Sequence, residues 1–175
     1  MADFLSTLVL GGAASGKSAF AETLVLGQPG RPIYIATAEA FDAEMIDKIA
    51  VHKARRGAVW TNVEEPLDLA GTIGRADAPD AVLLVDCLTI WLSNLMADHR
   101  DIASEIARLV DALDGLQGKI VMVANEVGLG IVPENALSRT FRNLHGTLNQ
   151  TVAGVADRVV FVAAGLPLAL KGELD

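Results

Sequence analysis

An apolar run, Phe4 to Leu10, leads into Gly11-Gly12-Ala13-Ala14-Ser15-Gly16-Lys17-Ser18 and then into a helix-forming stretch, Ala19 to Leu26. Strand, glycine loop and helix in that order leave the chain few folds to choose from. The octapeptide matches the pattern G-x-x-x-x-G-K-[ST]. Gly11 and Gly16 permit backbone angles that a side chain would forbid, so successive N–H groups can turn inward around phosphate oxygens. Lys17 supplies a mobile cation for the outer phosphates, and the Ser18 hydroxyl is placed to ligate Mg²⁺. The helix N-terminus adds its own preference for anions. These residues predict a nucleoside triphosphate site.

The rest of the chain repeats the alternation. Strand-like runs are Phe4–Leu10, Pro32–Thr37, Val59–Val63, Ala81–Asp86, Lys119–Asn125 and Arg158–Ala164. Helical stretches are Ser18–Leu26, Asp42–Arg55, Pro66–Arg75, Leu88–Asp98, Ile102–Leu116 and Leu137–Ala156. The continuous apolar runs at 81–85 and 120–124 are those of parallel strands buried on both faces. Strand–helix alternation predicts right-handed crossovers and a mostly parallel sheet with helices on both sides. The tail Leu166-Pro167-Leu168-Ala169-Leu170-Lys171 reads as a last edge strand, with Pro167 tolerated only at a start or an edge. At 175 residues, with no repeat and no dividing linker, residues 1–175 are expected to form one α/β domain.

Composition excludes several classes. A formal charge of −8 without a basic stripe argues against a nucleic-acid partner. Cys87 is the only cysteine, so no intrachain disulfide is expected and a reducing compartment fits. The start lacks the basic region of a secretion signal, and the uncharged stretches are too short to span a membrane. A cytoplasmic protein is expected. No Asn-Lys-x-Asp guanine-reading motif is present, which argues against a Ras-type switch.

In such sheets ligands bind at the carboxyl ends of the strands, which ranks the loops. Asp86 ends an apolar strand, the Walker B arrangement, and with Ser18 would hold Mg²⁺; its plainer reading is a cap on the next helix. Ala36-Thr37-Ala38 is either a plain turn or a close approach of backbone to nucleotide. Met45, Ile49 and His52 share one helix face. His52 lies among Lys48, Lys53, Arg55 and Arg56; these are either a solvated basic helix end with a packing histidine, or cations that would keep an imidazole neutral and hold a triphosphate. The loop Asn125–Asn135 carries Gly128 and Gly130, and its Glu126 and Glu134 either handle a proton or cap the following helix.

Together these segments resemble the bifunctional adenosylcobinamide kinase / adenosylcobinamide-phosphate guanylyltransferases. The residues that carry the likeness are the loop at 11–18, Tyr34-Ile35-Ala36-Thr37-Ala38, and Asp42-x-Glu44-Met45. They continue with His52-Lys53-x-x-Arg56, Trp60-x-x-x-Glu64 and the 125–135 loop, so the likeness runs from residue 11 to about 150. It implies a RecA-like P-loop fold, a homotrimer, and two reactions. The first phosphorylates the aminopropanol hydroxyl of adenosylcobinamide with ATP or GTP. The second transfers GMP from GTP to that phosphate through a covalent histidine. It implies that His52 is that histidine and that Lys17 assists both steps. The implied nucleotide contacts are Gly11, Gly12, Ala13, Ala14, Ser15, Gly16, Lys17 and Ser18, then Ala36, Thr37, Ala38, Lys53, Ala54, Arg55, Arg56, Glu64 and Asp86. Two departures are Gly57, where many members have proline, and aspartate rather than glutamate at Asp86. A P-loop kinase of another small molecule, without guanylyl transfer, is the alternative.

Overall fold

The computed structural model describes residues 5–38 and 58–174. Its elements, in chain order, are β1 (Ser6–Gly11), α1 (Lys17–Leu26), β2 (Arg31–Ala36), β3 (Thr61–Glu64), α2 (Leu69–Ala76) and β4 (Ala81–Asp86). They continue with α3 (Leu88–Ala97), α4 (Ile102–Asp114), β5 (Lys119–Asn125), α5 (Ala136–Val155), β6 (Arg158–Ala163) and β7 (Leu166–Lys171). The strands form a seven-stranded sheet in the order β3-β2-β4-β5-β1-β6-β7. Every pairing is parallel except β6 with β7, which is antiparallel. The mostly parallel α/β sheet expected from the sequence is therefore present.

Alternation along each strand splits the core in two. Leu8, Leu10, Leu83, Val85, Ile120 and Met122 point to one face, where they pack with residues of α2, α3, α4 and α5. Val9, Val82, Leu84, Val121 and Val123 point to the other and meet Ala21 and Val25 of α1. Fully burying one such aliphatic chain is worth about 1.5–3 kcal/mol, so the central strands anchor the fold. The tail does form an edge strand, with Pro167 in its second position opposite Val162.

Two of the helix starts that differ from expectation, those of α2 and α5, do so for a local reason. The helix predicted from Pro66 begins at Leu69, because the Asp68 side chain caps it at Gly71 N. Before it, Glu65 Oε1 accepts from Leu67 N and Asp68 N, which holds a turn where periodicity alone read helix. The start of α5 is capped by Asn135, whose Oδ1 accepts from Ser138 N. Neither Glu126 nor Glu134 is its cap. The predicted helix Asp42–Arg55 lies outside the described residues.

Candidate active site at the carboxyl edge of the sheet

Strand register brings the carboxyl ends of five strands to one edge. Gly11 stands opposite Asn125, Asp86 opposite Val123 and Ala36, and Ala36 opposite Glu64. With neighbouring strands about 4.8 Å apart, Asp86 lies roughly 10 Å and Glu64 roughly 19 Å along the edge from β1. A ligand touching all of these has to lie along the edge, its phosphates over β1 and its far end toward β3.

The loop between β1 and α1 has the form of an anion cradle. Gly16 has φ +94° and caps α1 with no side-chain hydrogen bond, so the helix's first amides have no side-chain acceptor at the cap. A Cβ on Gly11 would stand 2.5 Å from both Ser15 Oγ and Val162 O, so only glycine fits there. Lys17 Nζ reaches across the loop to Gly12 O at 3.1 Å. Ser15 Oγ is buried and has no hydrogen-bond partner, an orphan that a phosphate oxygen would satisfy. The loop is fastened from behind: Gly165 N donates to Ser15 O at 2.8 Å and Glu126 N to Gly11 O at 2.9 Å.

Asp86 does not cap the next helix. The N-cap of α3 is Cys87, with no side-chain cap bond, and Asp86 Oδ2 instead accepts from the Tyr34 hydroxyl at 2.6 Å. Tyr34 is itself buried edge-on against Trp60, with ring centroids 5.7 Å apart. This leaves a carboxylate of fixed orientation at the edge. No group of three or more His, Cys, Asp or Glu able to hold a metal occurs among the described residues. A hydroxyl and one carboxylate, Ser18 and Asp86, fit a Mg²⁺ that keeps water and substrate phosphates as its other ligands.

Thr37 turns out to be structural as far as its side chain goes. Its hydroxyl is fully buried, donates to Cys87 O at 2.8 Å and accepts from Cys87 N at 2.9 Å. Asn94 Nδ2 donates to Thr37 O and Pro66 O. Beside it, Thr89 Oγ1 accepts from Asn125 N at 2.8 Å and contacts His145 Nε2 at 2.9 Å. Asn149 Nδ2 bonds to Asn125 O and to His145 Nδ1, both at 3.2 Å. An amide nitrogen only donates, so Nδ1 accepts and Nε2 carries the proton. Burial holds the His145 pKa below its usual value, an effect that nearby Glu126 opposes. Burial, with Asp86 next to it, pushes the Cys87 thiol up, which leaves it unreactive.

Sequence reading missed this set of polar contacts, because most of its pairs are far apart along the chain, 57 residues for Thr37–Asn94 and 56 for Thr89–His145. The Tyr34–Asp86 bond was missed for the same reason. His52, Lys53, Ala54, Arg55 and Arg56 lie outside the described residues. The remaining predicted contacts, Gly12, Ala13, Ala14 and Ala38, flank the same edge.

Fold and cradle together define a P-loop nucleoside-triphosphate-binding protein. Among solved structures, the RadB recombinase matches with a TM-score of 0.54 at 14% identity, covering 90% of this chain and 73% of that one. A type III secretion ATPase of pathogenic bacteria matches at 0.51 and 12% identity, covering 94% and 56%. At such identities the likeness is one of fold. The sequence comparisons go further. The family model described as cobinamide kinase / cobinamide phosphate guanyltransferase matches residues 7–170, and the chain belongs to that family. The bifunctional adenosylcobalamin biosynthesis protein CobP of Pseudomonas aeruginosa is 48% identical, over 95% of this chain and 97% of its own. CobU of Salmonella typhimurium is 40% identical, over 94% and 98%.

Proposed function

We propose that this chain phosphorylates adenosylcobinamide with ATP or GTP and then transfers GMP from GTP to the product. The observation that carries the reading is the family match over 7–170 on a chain whose P-loop cradle is complete at the carboxyl edge. In the kinase step the aminopropanol hydroxyl attacks the γ-phosphorus, the β–γ P–O bond breaks, and a nucleoside diphosphate leaves. Lys17 and the amides at the start of α1 hold the phosphates, because this reaction is mostly positioning and charge neutralisation. Mg²⁺ held by Ser18 and Asp86 would add charge at the outer phosphates.

In the second step His52 attacks the α-phosphorus of GTP, forming a P–N bond as the α–β P–O bond breaks. Pyrophosphate then leaves from the P-loop. An oxygen of adenosylcobinamide phosphate next attacks the same phosphorus and releases the histidine. Lys53 and Arg56 offset charge at the α-phosphate, with Ala54, Arg55, Glu64 and the turn 36–38 contacting the nucleotide. A nucleotide laid along the edge from β1 toward β3 is compatible with Glu64 meeting its far end. The protein works in the cytoplasm and assembles as a homotrimer; exposed apolar chains such as Leu129 and Ile131 support the assembly. No helix among the described residues is long and apolar enough to cross a membrane.

The test is incubation with α-labelled GTP and Mg²⁺, then denaturing electrophoresis. The protein should take up label that acid removes and alkali leaves, as a phosphoramidate requires. His52→Asn should lose labelling and GMP transfer while still phosphorylating adenosylcobinamide. Label that survives acid, or that attaches to His52→Asn, would place the nucleophile elsewhere. Kinase activity with no labelling of wild type would leave only the plain kinase.

A further inference from the structure

Beside the P-loop, on the face of the sheet away from α1, a cleft of about 740 Å³ opens between α5 and the β6–β7 edge. We infer that this cleft is the subsite for the acceptor, an amide-bearing corrinoid, a step that rests on the function proposed above. Its position is the first argument. Glu126 lines the cleft, and the same residue's N–H is bonded to Gly11 O of the phosphate loop. A substrate seated there has one end beside the phosphate loop.

The lining is the second. Leu10 and Val159 give it an apolar wall, and its volume falls in the range of small-molecule sites. Gly146 and Gly154 of α5 line it too, eight residues apart on one face. A glycine inside a helix is less stable there than alanine. Beyond the helix's own backbone, no atom lies within 4 Å of where a Cβ would stand at either position. Among the described residues, nothing in the packing requires these glycines. They keep the space open.

The third argument is an unmet hydrogen bond. Asn149 lines the cleft and is only 7% exposed. Its Nδ2 is committed to Asn125 O and His145 Nδ1, which fixes the amide, and its Oδ1 is left without a partner. A buried acceptor left unpaired is destabilising, so the site calls for a donor. Cobinamide supplies that chemistry: an alkyl-rich ring edge carrying primary amide arms, whose N–H groups suit Asn149 Oδ1 and the Glu126 carboxylate, of which Oε1 already accepts from Gly128 N. The arm ending in the reactive hydroxyl then lies at the Glu126 end.

The test is equilibrium dialysis of cobinamide, followed by its visible absorption, against wild type, Gly146→Ala, Gly146→Leu and Gly154→Leu. All three substitutions favour the helix, and thermal melts confirm folding. Gly146→Leu and Gly154→Leu should each weaken cobinamide binding at least tenfold and Gly146→Ala less than threefold, with GTP affinity within twofold of wild type. Cobinamide binding that is equal in all four proteins overturns the proposal, as does GTP binding that weakens in step. A change in subunit number with cobinamide affinity intact also overturns it and gives the cleft to a second copy of the chain. Wild type that binds no cobinamide refutes the proposed function itself.

Discussion

The two halves of the carboxyl edge hold their polar groups in opposite ways. Around β1 and α1 the polar groups are mostly backbone. Gly16 gives α1 no side-chain cap, and Ser15 Oγ has no partner. Around β2, β4 and β5 the polar groups are side chains already bonded to one another or to backbone, with Asn149 Oδ1 the exception. Tyr34 holds Asp86, Thr37 holds Cys87, and His145 with Asn149 ties Thr89 to Asn125. The first half is built to receive an anion from outside. The second fixes the distances at which that anion meets a carboxylate and a substrate. Open donors confer binding, whereas closed networks confer geometry.

This contrast can be broken most sharply at Lys17. Lys17→Ala removes the mobile cation and should lower both reactions at least a hundredfold, with the fold intact by circular dichroism. Kinase loss with GMP transfer near wild type would require a second nucleotide site. The closed half should respond differently. Tyr34→Phe removes one hydrogen bond to Asp86, and such bonds to charged groups are worth about 1.5–3 kcal/mol. Its kcat should fall roughly tenfold, while nucleotide affinity measured without Mg²⁺ stays within twofold. Affinity falling alone would mean that Tyr34 serves binding.

The smallest effect is one of pH. Burial lowers the His145 pKa in the fold, and the unfolded chain titrates near the ordinary value of about 6.5. Below that pH the unfolded state binds a proton that the native state refuses, so stability falls with acid and is recovered as pH rises past about 6.5. In His145→Gln that share of the acid limb should vanish in urea melts between pH 5 and 7. An unchanged slope would assign the acid sensitivity to other groups.

Legibility followed the same division. The P-loop was readable because its eight residues are consecutive, so local backbone rules act on them directly. The strands at 81–86 and 119–125 were readable to the residue because burial on both faces leaves an unbroken apolar run. Boundaries slipped where a side chain competes with helix geometry, as Glu65 and Asp68 do before α2. Asp86 was recognised as an edge carboxylate, but its partner Tyr34 lies 52 residues upstream and no periodicity links the two. The same holds for Asn149. Its helix was legible as the stretch Leu137–Ala156, whereas its locked amide depends on β5 and on His145.

The bond from Gly165 N to Ser15 O joins the phosphate loop to the turn between β6 and β7. A Cβ on Gly16 would stand 3.1 Å from Gly165 Cα, so the two backbones are in close contact. The loop therefore loses most of its conformational freedom when the chain folds, before any nucleotide arrives. Association then has little ordering left to do, and more of the contact energy appears as affinity. The last strand of the chain thus keeps its first loop ready for the ligand.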